Sequence, residues 1–172
     1  MRIILAFHVF FLSLSAFSAD KHESAFQHLA SLSGKWQGNY PNGRIIEVEY
    51  ELISGGYALL ERWRMSPTHQ SITIYTIDNG KLNLRHFCPQ GNQVQLTLNE
   101  IASSAGQYVF EFVNATNTEA PDKSHLSNTN IAFISDQEFA RVEDYKFNLK
   151  ANSYDRGQRV VFTKINYPSV DD

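Results

Sequence analysis

The chain lacks several things, and each shortage narrows what it can be. It holds one cysteine, Cys88, so no disulfide can close within it. No basic run or stripe is present. Fifteen Lys and Arg against 18 Asp and Glu give a net charge of -3, which speaks against nucleic acid as a partner. No apolar run reaches the ~20 residues needed to cross a bilayer. There is no strand–helix alternation, internal repeat or low-complexity linker, which leaves no basis for a parallel α/β fold, a solenoid or a second domain. Prolines number five in 172 residues, and all fall in turn-like stretches or the tail, where a sheet tolerates them.

What is present favours strands. Apolar residues make up 42% of the chain, enough for a core, and aromatics 13%, led by twelve Phe and eight Tyr. The first residues are a case apart. Met1-Arg2 is a short positive start, Ile3 to Leu14 is apolar, and Ala16-Phe17-Ser18-Ala19 supplies small residues before polar Asp20. That is the pattern of a secretory signal peptide over 1–19, cleaved after Ser18 or Ala19, with one domain over 20–172. It implies export to a periplasmic or extracellular setting, with no stable membrane span after cleavage. No cysteine stands just after the cleavage region to carry a lipid anchor.

Phe26, Leu29 and Leu32 have helical spacing, so a short helix is expected over Ser24 to Ser33, capped by Ser24 and ended by Gly34. From Gly34 onward the pattern is strand and turn. Ile46, Val48, Tyr50 and Leu52 alternate with Glu47, Glu49 and Glu51, a dry face and a wet one. Gly55-Gly56, Ser66-Pro67 and Asp78-Asn79-Gly80 break the following strands. The last three strands are expected over Ser124–Ser135, Glu138–Leu149 and Gly157–Ile165, with Tyr154-Asp155-Arg156 as a connection. The fold class is therefore all-β: roughly ten antiparallel strands in a meander, closed into a barrel that removes its own edges. A barrel of ~8–10 strands can hold one small ligand.

Leu82 to Asn92 is the stretch richest in chemistry. Leu82, Leu84, His86 and Cys88 occupy alternate positions and share a face if the strand is regular. Pro89 stops the ladder and Gly91-Asn92 turns it. Elsewhere Glu61 is in phase with Leu59, Trp63 and Met65, and Arg141 and Glu143 with Phe139, Tyr145 and Phe147. Buried charges need partners, so these form an internal ion pair or an arginine that holds a ligand's carboxylate. His86, Cys88 and His125 have ligand types that suit zinc or copper, and Cys88 with His86 has the makings of a nucleophile and base. The plain alternative is a packed core thiol and a satisfied core histidine. Asn114-Ala115-Thr116 is a glycosylation sequon in a predicted loop, and the three glutamates of 47–51 read as a solvated face.

Gly34-Lys35-Trp36, just after the helix, resembles the Gly-x-Trp opening of lipocalin and related calycin barrels. The longer Gly34-Lys35-Trp36-Gln37-Gly38 is similar to the start of nitrobindin-type haem barrels. His86-Phe87-Cys88, Gly91-Asn92-Gln93 and His125 resemble a set of bacterial exported lipocalin-like proteins without an assigned activity. The resemblance implies a tryptophan, Trp36, closing one end under an arginine of the last strand, here Arg159. The candidate ligand-binding residues are thus His86, Cys88 and His125, which match that pattern, together with Arg141, Glu143 and Glu61 from their strand phase.

The reading that follows is an exported barrel that binds a small, mostly apolar molecule without catalysis. Two others stay open. One is a metal- or haem-dependent protein or enzyme using His86, Cys88 and His125. The other is a structural or interaction protein whose barrel is filled, and the cofactor is unknown in each case. The export expectation has a direct check: N-terminal sequencing of protein from its native host should begin at Ala19 or Asp20, and an intact Met1 would refute it.

Overall fold

The computed structural model describes residues 12–118, 124–147 and 154–166. Helix α1 (Leu12–Ala30) leads into β1 (Gly34–Asn39), β2 (Ile45–Ile53), β3 (Ala58–Ser66), β4 (His69–Asp78), β5 (Lys81–Phe87) and β6 (Gln93–Leu98). Then come β7 (Gln107–Thr116), β8 (Ser124–Ser135), β9 (Glu138–Phe147), β10 (Tyr154–Arg156) and β11 (Val160–Lys164). Each strand from β1 to β9 pairs antiparallel with the next, β11 pairs with β9 and β1, and the sheet closes on itself. β8 takes one edge of β9. β11 and β10 share the other, against Phe139–Arg141 and Asp144–Lys146 respectively. The eleven strands thus form ten staves, the last broken in two at 157–159. The expected meander barrel is present. Tyr154-Asp155-Arg156, expected as a connection, is instead the first half of that broken stave. The break forms because Gly157 lies against the Glu143 backbone, where a Cβ would sit 1.8 Å from its carbonyl oxygen.

Alternation decides which face of each stave is dry. In β2, Ile46, Val48 and Tyr50 are buried, while Glu47 and Glu51 are exposed and Glu49 is half-buried. Glu49 and Glu51 meet Arg64 and Arg62 across the strand pair at 3.5 and 3.6 Å, so the glutamate run is a solvated face with exposed, weakly contributing pairs. Inside, aromatic rings fill the space. Phe139 and Phe162 stack at 4.9 Å, and Trp36 meets Phe139 edge-on at 5.0 Å. Gly38 is small because the Phe162 ring lies on its backbone, 2.5 Å from where a Cβ would stand.

The helix is longer than its apolar spacing indicated, and Ser24 lies within it rather than capping it. Its core-facing residues are nonetheless those expected: Phe26, Leu29 and, just past the end, Leu32 are buried with Trp36, Leu82 and Leu98. Two histidines pin it. His22 Nδ1 accepts the Leu82 N–H at 3.1 Å, which leaves the proton on Nε2 to donate to Glu100 at 2.9 Å. His28 meets the Tyr108 hydroxyl at 2.7 Å and stacks on Phe133. The helix therefore plugs one end of the barrel. Cleavage after Ala19 would leave these contacts in place, since they start at His22; residues 1–11 of the expected signal segment lie outside the described residues.

Trp36, to which the Gly-x-Trp resemblance assigned the closing role, packs in the core beside the helix. It is 1% exposed and donates its indole N–H to the Leu32 carbonyl at 2.7 Å. The cation beside it is not Arg159. That residue is exposed in the broken stave, and Lys164, directly opposite Trp36 in the β1–β11 register, sits 5.2 Å from the ring. Denaturant unfolding should therefore show Trp36→Ala costing about 3–5 kcal/mol. Lys164→Ala should cost less than about 1 kcal/mol, and Arg159→Ala nothing measurable. A loss for Arg159→Ala comparable to that for Trp36→Ala would contradict this placement.

Candidate functional site

The strand registers bring a polar row across the interior. Tyr50 of β2 stands opposite Glu61 of β3, Glu61 opposite Thr73 of β4, and Thr73 opposite His86 of β5. All four are buried. Arg141 reaches into this row from β9, on the far side of β11, β1 and β2. Its Nη1 donates to Glu61 Oε2 at 2.5 Å and to the Tyr50 hydroxyl at 3.3 Å. Its Nη2 lies 2.6 Å from Glu143 Oε1. Tyr75 donates to Glu61 Oε2 at 2.8 Å and Tyr145 to Glu143 Oε2 at 3.0 Å. Thr73 Oγ1 lies 3.3 Å from Glu61 Oε1 and 3.0 Å from His86 Nδ1, linking the carboxylate to the imidazole. The guanidinium also rests over the Trp63 ring at 5.0 Å.

The electrostatics follow from this geometry. Burial opposes a charge on Glu61, but the Arg141 charge and hydrogen bond, with help from Tyr75, outweigh it and hold its pKa below the ordinary value. His86 moves down because burial disfavours imidazolium more strongly than Glu143 and Glu61 favour it. Tyr50 and Tyr75 are held well above the ordinary phenol value by burial and then by the Glu61 charge, so both stay protonated. Burial, the Glu143 charge and the Glu143 hydrogen bond do the same for Tyr145, and Cys88 adds to the rise. A buried guanidinium between two carboxylates, with tyrosine hydroxyls on the remaining lone pairs, is the arrangement that offsets the several kcal/mol of desolvation each ion costs.

Above this charged layer, at the end away from the helix, is an open pocket of about 380 Å³. Arg141, Glu143, Tyr145, Trp63 and Val160 line its inner part. Tyr40, Asn42 and Arg44, from the β1–β2 turn, and Gly157 and Gln158, from the broken stave, form its rim. Glu143 is the member of the ion triad that reaches solvent, with 17% of its side chain exposed against 1% for Glu61 and Arg141.

The β5–β6 turn is fastened at this same end. Gly91 adopts φ 88°, which lets the Cys88 carbonyl accept its N–H at 2.9 Å. Asn92, 1% exposed, donates to the Ser124 carbonyl at 2.8 Å, and Gln90 and Ser124 exchange two bonds at 3.2 Å. These contacts tie the turn to β8 across the second half of β7, where no β7–β8 register extends beyond Glu111 and Asn128.

Of the residues singled out in the sequence, Glu61, Arg141, Glu143 and His86 come together here. Cys88 lies just past β5, half-buried and near Tyr145, so the strand ends one residue earlier than the alternation suggested. His125 is not part of the cluster. It is buried beside core residue Leu126 and pairs with exposed Lys146, but its ring lies 5.4 Å from that of half-exposed Phe112, apart from the charged row. Among the described residues no three His, Cys, Asp or Glu form a group able to hold a metal ion, and His86 Nδ1 is engaged by Thr73. His86, Cys88 and His125 thus do not form a three-ligand metal group among the described residues. The sequon falls on strand β7 and not in a loop. Thr73 and Tyr75 went unremarked in the sequence, while Tyr50 was read only as a dry-face residue and Asn92 only as part of a turn and of the family match; alternation with core positions was the signal available for the first three.

Comparison with known proteins adds the fold. No protein-family model matches the chain, and no curated protein matches it. It is similar to the crystal structure of Rv2717c from M. tuberculosis, with a TM-score of 0.53 and 16% identity over 83% of this chain and 98% of that one. At that identity the likeness is one of fold: a closed antiparallel barrel.

The charge layer makes two predictions. Arg141→Met should cost about 3–5 kcal/mol in denaturant unfolding, because Glu61 is left buried without its counter-ion; a loss below 1 kcal/mol would show the pair to be dispensable. His86 has a folded pKa below its ordinary 6.5, so as pH falls the unfolded chain takes up its proton first. Its contribution to stability is complete above that value and declines below it, and His86→Gln should flatten the fall in stability between about pH 7.5 and pH 5.5. An unchanged pH profile would contradict the neutral buried imidazole.

Proposed function

We propose that this chain is a non-catalytic binding protein that takes a small molecule into the mouth of its barrel. The observation that carries this is the placement of open volume. Aromatic and leucine side chains pack the middle of the barrel; one cleft lies beside the helix, lined by Ala25, His28, Leu98 and Tyr108, and the other, at the far mouth, opens above a fixed layer of oriented charged and tyrosine groups. Concave sites with aromatic walls and a few oriented polar groups are what small-molecule binding needs. The calycin-like fold supports the same reading. The ligand meets apolar surface at Trp63 and Val160 and polar groups at Glu143, Tyr145 and Arg141. It is thus apolar on one side only, in contrast to the mostly apolar molecule that the leucine faces suggested. The signal-like residues 1–19 support an exported setting. Among the described residues no helix is long and apolar enough to cross a membrane.

Two measurements test this reading. Native mass spectrometry of protein from its own host should show a bound organic mass, and Gln158→Trp at the rim should abolish it by filling the pocket. Protein that carries no organic mass, with or without that substitution, would favour the filled-barrel interaction protein instead.

A further inference from the structure

On the reading that the mouth pocket binds a small molecule, we propose that its ligand is a small organic cation: a protonated amine with a hydrophobic body and an oxygen near the nitrogen. The first argument is charge balance. The buried layer contains two carboxylates, Glu61 and Glu143, and one guanidinium, Arg141, which leaves one negative charge inside the barrel wall. His86 does not balance it, because burial disfavours its charged form. Tyr50, Tyr75 and Tyr145 are hydrogen-bonded neutral phenols. Arg44 stands at the rim, exposed and stacked over Tyr40 at 4.6 Å, where water screens its charge. A low-dielectric site with a surplus negative charge is stabilised by an incoming cation.

The second argument is where that surplus is reachable. Glu61 is sealed, whereas Glu143 opens into the pocket. The neighbouring walls are aromatic, Trp63, Tyr145 and Tyr40, and ring faces attract ammonium groups as well as apolar bodies.

The third argument concerns the oxygen. Arg141 is 2% exposed and lines the pocket, yet its Nε–H is buried with no acceptor among the described residues. A buried donor without a partner is unfavourable, so an oxygen offered to it by the ligand is a gain. An amino alcohol or an amino-acid amide meets both demands, with its ammonium on Glu143 and its oxygen on Nε.

Isothermal titration with three probes of one shape tests this. Phenylalaninol carries the ammonium and hydroxyl, 3-phenylpropanol lacks the nitrogen, and hydrocinnamate lacks the nitrogen and carries a carboxylate in place of the hydroxymethyl group. Phenylalaninol should bind at least about tenfold tighter than phenylpropanol, and hydrocinnamate should not bind. Glu143→Gln, with folding checked by circular dichroism, should remove the advantage; if that variant fails to fold, the series on the unaltered protein decides alone. Equal or tighter binding of phenylpropanol or hydrocinnamate would overturn the cation inference and leave the pocket's role standing. Binding of none would overturn the inference, and a native protein free of any organic mass would then remove the binding reading too.

Discussion

The structure depends on one buried contact, the guanidinium of Arg141 held between Glu61 and Glu143. It joins staves from opposite walls of the barrel, which the backbone ladder by itself connects only through their neighbours. A charge in the middle of a barrel is costly unless its partners are already in place, and here the sheet supplies them. The register sets Tyr50, Glu61, Thr73 and His86 side by side, and Tyr75 and Tyr145 add hydrogen bonds to the two carboxylates. Removing any one member leaves another buried and unpaired, so the layer holds the strands in one register as well as holding charge.

That layer divides the interior into two regions of different character. On the helix side, Leu29, Leu32, Trp36 and Leu82 pack without polar interruption, with His22 and His28 fastening the plug at its edge. On the other side, the β1–β2 turn and the broken stave stand apart and leave the pocket. The β5–β6 turn is tied down by Asn92 where β7 and β8 separate. The block His86-Phe87-Cys88 to Gly91-Asn92-Gln93 thus has a physical rationale as a unit. Its histidine belongs to the charged layer, its glycine permits the turn, and its asparagine fastens that turn to β8.

Much of this was legible in the residues. Period-two alternation is a local property, so the strands, the all-β barrel and the inward phase of Glu61, His86, Arg141 and Glu143 could be read directly. Contacts between distant staves could not. Lys164 and not Arg159 meets Trp36 because the β1–β11 register sets Lys164 opposite it and leaves Arg159 beyond the other end of that ladder. His125 is buried apart from the charged layer, beside Phe112, a placement that depends on the β8–β9 register. The tyrosines read as ordinary core aromatics, and only their hydroxyl partners across the barrel give them an electrostatic role. The helix exceeded its apolar spacing because the run from Leu12 onward contains no proline or glycine to stop it.

The central claim is that Arg141 offsets the burial of Glu61. Carbon-13 NMR titration of the Glu61 side-chain carboxyl tests it most directly. The account predicts that this carboxyl stays ionised as pH falls through the ordinary glutamate range and titrates below it. Titration at or above the ordinary value would mean that burial outweighs the arginine, and that the charged layer is not as described.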